Sequence, residues 1–151
     1  MKDLVIERTD SKDINFQKLV ALLDEDLARR NGASNDFFAQ YNKIDLIKHV
    51  VVAYLEGNPI GCAAMKPYDA DTMELKRMYV IPAYRGRGIA SAILQSLENW
   101  AGELAYKKCV LETGDQMPEA IALYRKRAYT VIPNYGQYVA IASSICFAKN
   151  L

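Results

Sequence analysis

One stretch of this chain restricts its folding more than any other: residues 74–90, Glu-Leu-Lys-Arg-Met-Tyr-Val-Ile-Pro-Ala-Tyr-Arg-Gly-Arg-Gly-Ile-Ala. From Thr72 to Ile81, Met73, Leu75 and Tyr79 alternate with Glu74, Lys76 and Met78, which is the period of a strand with two unlike faces. Pro82 ends it. A basic, glycine-rich turn follows, Ala83-Tyr84-Arg85-Gly86-Arg87-Gly88, and then Ile89, Ile93, Leu94, Leu97, Trp100, Ala101 and Leu104 mark a helix. The first N–H groups of that helix have no internal partner and lie at the positive end of its dipole. Gly86 and Gly88 let the backbone approach a ligand and adopt positive φ, while Arg85 and Arg87 add charge. The unit suits a pyrophosphate. It is not a Walker loop, because no Gly-Lys-Ser/Thr follows, and Ser91 stands where a dinucleotide fingerprint needs its third glycine. Taken alone, the same residues also describe a plain helix start with solvated arginines.

The flanking sequence supplies the elements this unit packs on. Leu4-Val5-Ile6 reads as a strand, and Thr9-Asp10-Ser11 as helix-capping residues. Phe16, Leu19, Val20, Leu23 and Leu27 form one helical face that Asn31-Gly32 stops. Ala33 to Lys43 reads as a short second helix. Ile47 to Leu55 and Ile60 to Met65 form a hairpin around Glu56-Gly57-Asn58-Pro59. After the glycine unit come a strand at Lys108 to Thr113, a helix opened by Pro118 and running to about Arg127, and strands at Tyr129 to Ile132 and Ser144 to Ala148. Hairpins plus one strand–helix–strand crossover imply a mixed sheet with helices packed on it.

Composition narrows the partners. The 151 residues are the size of one domain, and 19 Lys+Arg against 18 Asp+Glu leave a net charge of +1. Such a chain has no global field for nucleic acid or an anionic membrane, so any basic site is local. Cys62, Cys109 and Cys146 are scattered inside apolar runs and read as buried thiols rather than a disulfide framework. His49 is the only histidine, which makes a metal site a poor expectation. The N-terminus meets charges too early for a signal peptide, and no apolar run reaches the ~18 residues of a membrane helix, so a cytoplasmic location is expected.

Arg85-Gly86-Arg87-Gly88-Ile89-Ala90 resembles the acetyl-CoA motif of the GNAT superfamily of N-acetyltransferases, Gln/Arg-x-x-Gly-x-Gly/Ala. Glu74 to Val80 with Pro82, and Glu119-Ala120-Ile121-Ala122-Leu123-Tyr124, are similar to the same family. The resemblance implies an α+β fold over residues 1–151, with a mixed, mostly antiparallel sheet of six to seven strands and helices on both faces. It implies acetyl-CoA as acetyl donor and a small-molecule or peptide amine as acceptor. Met78, Tyr79 and Val80 would flank the pantetheine, and Arg85, Gly86, Arg87, Gly88, Ile89 and Ala90 the pyrophosphate. Tyr124 matches the tyrosine near the CoA sulfur, a proton donor to the departing thiolate, and Glu74 is the first candidate base, ahead of Asp69, Asp71 and Glu112. Two departures stand out: Met117 replaces a cofactor-contacting asparagine, and Ala128 replaces a glycine, which strains the backbone if φ there is positive. The acceptor side would come from Asn31 to Tyr41 and Pro133 to Tyr138, both rich in aromatics. Ile145, Cys146 and Phe147 would suit a homodimer contact. Two other readings stay open: a non-catalytic acyl-CoA sensor, and a nucleotide-binding protein unrelated to acyl transfer.

Overall fold

In the computed structural model, residues 3–31 and 46–151 are described. The expected second helix at Ala33 to Lys43 lies outside them, as does all but Asn31 of the first acceptor segment. Seven strands form one sheet: β1 (Leu4–Thr9), β2 (His49–Leu55), β3 (Asn58–Pro67), β4 (Thr72–Val80), β5 (Lys108–Gly114), β6 (Thr130–Ile132) and β7 (Ser144–Asn150). Their order is β1-β2-β3-β4-β5-β7-β6. Every neighbouring pair is antiparallel except β4 and β5, which the crossover makes parallel. The helices are α1 (Ile14–Asn31), α2 (Ile89–Glu103) and α3 (Pro118–Lys126).

The two periodicities assign the faces. In α1, Phe16, Leu19, Val20 and Leu23 are buried with Val50, Val52, Cys62 and Ala64 on one side of the sheet. In α2, Ile89, Ile93, Leu94 and Leu97 pack with Val51, Met65, Met73, Leu75 and Leu111 on the other, joined there by Tyr124 of α3. Alternate residues of β2 to β5 thus serve two cores. The cap of α1 differs from the sequence expectation. Asp13 Oδ1 accepts the N–H groups of Asn15 and Phe16, at 2.9 and 3.0 Å. Asp10 instead closes the preceding turn by accepting from Lys12, and Ser11 Oγ accepts from Ile47 N.

The β2–β3 hairpin closes through Glu56 and Gly57, both at positive φ (50° and 80°), the geometry of a two-residue type I′ turn. Ala128 does adopt positive φ, 71°, so the strain expected from its methyl group is present. Cys146 and Phe147 are fully buried on β7, an inner strand between β5 and β6. Both side chains serve the chain's own core, the alternative that their sequence leaves open beside a dimer contact, while Ile145 is half-buried. Gly61 lies tight against α2 and β4. A Cβ there would lie 2.9 Å from Ile93 Cδ1 and 3.0 Å from the Tyr79 carbonyl oxygen. Gly61→Ala is therefore expected to lower stability by about 1–3 kcal/mol in a denaturant titration, an overpacking penalty the backbone carbonyl cannot relax.

Candidate active site

The sheet opens where β4 leaves β5. Pairing runs through Thr72↔Lys108, Met73↔Cys109 and Glu74↔Val110 and goes no further. On its other edge β4 stays paired with β3, with a register irregularity between Cys62 and Ala64. Opposite that irregularity Arg77 sits at φ 62°, and its carbonyl oxygen accepts the Cys62 S–H at 3.5 Å. A bulge bends the strand and increases its twist, which separates it from a parallel neighbour.

The gap is lined from both sides of the sheet. A cleft of about 120 Å3 is lined by Leu75, Leu94 and Tyr124 from the α2–α3 side, and by Leu23, Leu27, Lys76 and Glu112 from the α1 side. A second cleft, about 320 Å3, shares Leu23, Met78, Met117 and Ala120 with the first and runs on to Tyr79, Val80, Arg85, Gly86, Gly88, Ile89, Ala90 and Ser91. Eight of the nine residues expected to hold the donor, Met78 included, thus line one continuous groove. Arg87 is the ninth. It is absent from that lining, and its guanidinium stacks over the Tyr84 ring at 5.4 Å.

The glycine loop is a cradle of unpaired donors. Gly86 and Gly88 both have φ 79°, and nothing lies within 4 Å of where their Cβ atoms would be. Gly88 is the N-cap of α2 and offers no side-chain cap. Among the described residues, the N–H groups of 86–91 find no acceptor within the chain. Open space, a helix N-terminus and six outward donors fit a pyrophosphate. Arg85 steadies the loop. Its Nε donates to the Val80 carbonyl at 2.8 Å, and its guanidinium lies 5.4 Å from the Tyr79 ring centre.

At the inner end of the groove, Tyr124 packs against Tyr129 and Phe147, with ring centres 5.9 and 5.8 Å away. Burial, then the nearby Glu112 charge, push its phenol well above the usual tyrosine value, so it stays protonated. Among the described residues its hydroxyl engages no hydrogen-bond partner. Glu112 lies on the α1 side, where Oε2 accepts from Ser144 Oγ at 2.6 Å. Burial raises its carboxyl above the ordinary carboxylate range; the Ser144 hydrogen bond and the Lys76 charge act against this. Glu74 is buried on the same side of the sheet but does not line the cleft. Its Oε2 accepts from Tyr135 Oη at 2.8 Å, and its Oε1 lies 3.9 Å from Lys76 Nζ.

Lys76, Arg77, Ser144 and Leu27 are among the residues of the site that the sequence does not mark. Lys76 and Leu27 line the cleft, and Ser144 holds the carboxylate of Glu112. A charged residue in the apolar run Cys109-Val110-Leu111-Glu112 was the available signal, since a lone carboxylate on an inner strand needs a partner or a purpose. Met117 stands at the N-cap of α3 and lines both clefts, where its thioether has none of the donors an asparagine would bring.

Comparison with known proteins agrees with this geometry. Residues 16–129 match the model of the acetyltransferase (GNAT) family. The chain is 34% identical over 102 residues to IAA acetyltransferase of Azospirillum brasilense, covering 67% of each chain. It is 40% identical over 77 residues to the uncharacterized N-acetyltransferase YjgM of Escherichia coli, covering 49% of this chain but only 46% of that one. This chain thus spans about half the length of that relative. Among solved structures, a Klebsiella pneumoniae protein assigned as an acyl-CoA N-acyltransferase superposes with a TM-score of 0.81 at 25% identity, over 98% of this chain and 97% of that one. An Elizabethkingia anophelis GNAT family acetyltransferase with acetyl-CoA bound shares the fold, with a TM-score of 0.71 at 19% identity over the full length of both. The chain belongs to the GNAT family of acetyltransferases.

Proposed function

We propose that this protein transfers the acetyl group of acetyl-CoA to a primary amine by direct attack on the thioester. The observation that carries this reading is the single groove that joins the glycine cradle to Tyr124 and Glu112 through the opening in the sheet. Acetyl-CoA would supply an activated acyl group whose pyrophosphate meets the N–H groups of 86–90 and whose pantetheine runs beside Met78 and Val80. An amine must be neutral to attack. Glu112, on the far side of the gap, would accept its proton. The Tyr124 hydroxyl would protonate the leaving sulfur, a task for which a phenol kept neutral by burial is suited. Glu112 takes precedence over Glu74 as base because it lines the cleft and Glu74 does not. Glu74 would then position Tyr135 and Lys76.

Direct attack is preferred to an acyl-cysteine route. All three thiols are buried, and burial pushes those of Cys62 and Cys109 up to about 12, far from the thiolate a nucleophile needs. The testing experiment is thiol release from acetyl-CoA across a broad panel of amines. Release that depends on an amine supports the transferase. Tight acetyl-CoA binding with no release from any amine would favour the sensor instead.

The cradle gives a separate check. Gly88→Ala places a Cβ at φ 79°, a left-handed conformation that costs an L-residue roughly 1–2 kcal/mol. Gly88 is exposed, so the loop of the free protein can relax out of this conformation and binding must restore it; calorimetry is expected to show acetyl-CoA affinity reduced by about tenfold or more, with the unfolding midpoint changed much less.

A further inference from the structure

Two cations stand on the α1 side of the gap with incomplete partners. Lys76 has a side chain only 7% exposed. Its ammonium carries three donors, yet among the described residues its acceptors are Tyr138 Oη at 3.5 Å and Glu74 Oε1 at 3.9 Å. Both distances are at the outer limit for a bond to a charged donor. The two carboxylates nearby are already engaged, Glu74 by Tyr135 and Glu112 by Ser144. Arg77, the next residue, is buried as well. Its Nη2 pairs with Asp24, and its Nε has no acceptor among the described residues.

A buried cation without close anionic contacts is unusual, because desolvation is compensated only by short, well-aligned partners. Lys76 and Arg77 both line the cleft into which the attacking amine must come. Glu112, Thr113 and the apolar Leu23 and Leu27 are among the other residues that line it. Glu112 is assigned to the amine and Asp24 is taken by Arg77, so Lys76, held only by the long contacts to Glu74 and Tyr138, is the cation of this side with donors to spare.

We propose that the acceptor is a primary amine that also carries a carboxylate, an amino acid in the chemical sense, and that Lys76, seconded by Arg77, receives that carboxylate. The inference rests on the transferase reading. The carboxylate and the amine would sit on opposite charges of one cleft, Lys76 and Glu112, which orients the nitrogen toward the gap. Lys76 is a specificity-determining residue in this scheme and takes no part in proton transfer.

The test compares the proteinogenic L-amino acids with their carboxamides in the thiol-release assay. The best acid is expected to exceed its own amide by at least about 30-fold in kcat/KM. Lys76→Met should bring that ratio close to one, and Lys76→Arg should keep most of it. Amides used as well as acids by the unmodified protein, an undiminished ratio in Lys76→Met, or O-phosphoethanolamine preferred to every amino acid would each overturn the proposal. Binding of the N-acetyl amino acids and N-acetyl amino amides, followed by NMR chemical-shift titration, needs no turnover. If no amine releases thiol yet the acids bind tenfold or more tightly and lose this in Lys76→Met, the transferase reading fails and carboxylate recognition stands. If acids and amides bind alike, the recognition fails whatever the assay shows.

Discussion

Tyr124→Phe is expected to lower kcat by about 100-fold or more, while the dissociation constant for acetyl-CoA changes by less than about threefold. A loss of 100-fold corresponds to about 2.7 kcal/mol of transition-state stabilisation. The split follows from what the substitution removes. The phenylalanine ring keeps the packing against Tyr129 and Phe147, so the end of α3 and the inner wall of the groove stay in place. The hydroxyl alone is lost, and within the described residues it holds up nothing else. Steady-state kinetics with calorimetry on the same sample separates the two effects. Equal losses in turnover and affinity would assign Tyr124 to the wall of the groove rather than to the proton.

Glu112→Gln is the second large effect. A base must be ionised, so the rate of the unmodified protein should rise with pH through a carboxyl value above the ordinary range. Besides burial, the groups that set this value are Ser144 of β7 and Lys76 and Glu74 of β4, while Tyr124 of α3 and Tyr138 in the loop before β7 face the same carboxylate, whose charge raises both phenols. Burial and Glu74 raise it, whereas Lys76 and Ser144 lower it. The amide cannot titrate, so the acidic limb of the kcat/KM profile should vanish with a fall of about 100-fold. Glu74→Gln serves as the contrast. It should leave the limb in place, since its carboxylate faces Tyr135 and Lys76 and not the cleft. Disappearance of the limb in Glu74→Gln alone would restore Glu74 as the base.

The contrast between these two glutamates shows how far the sequence reaches. Period-two alternation holds from Met73 to Lys76, with Met73 and Leu75 in the α2 core opposite Glu74 and Lys76. It fails beyond Arg77, where the expected faces of Met78 and Tyr79 are reversed: Met78 packs with the α2 core and Tyr79 with the α1 core, because the bulge inserts one residue. The glycine turn with its helix is legible residue by residue. Which of two buried carboxylates meets the groove depends on the parting of β4 from β5 and on the bulge at Arg77. Neither is written in any short spacing: the parting belongs to strands more than 30 residues apart in the chain, and the bulge to the irregular pairing of β4 with β3. The cap of α1 failed for a smaller reason: Asp10, Ser11 and Asp13 are chemically similar, and only the backbone course decides which one meets the helix. Cys146 and Phe147 could serve a core or an interface equally well until β7 was seen to lie between two neighbours.

The short β4–β5 pairing has a mechanical consequence. The sheet behaves as two plates, β1–β4 and β5–β7–β6, welded by three residue pairs at Thr72 to Glu74, with Lys107 N and Lys108 N tied to the Asp71 carbonyl at 2.8 and 3.2 Å. A small rotation of one plate about this weld moves each point in proportion to its distance from it. Glu112 and Lys76 lie two residues beyond the last pair and are displaced little. Val80 and the glycine loop, six residues and more beyond it, are displaced most. The same hinge that gives the wide end of the groove its compliance holds the charged groups at the narrow end at nearly constant separation.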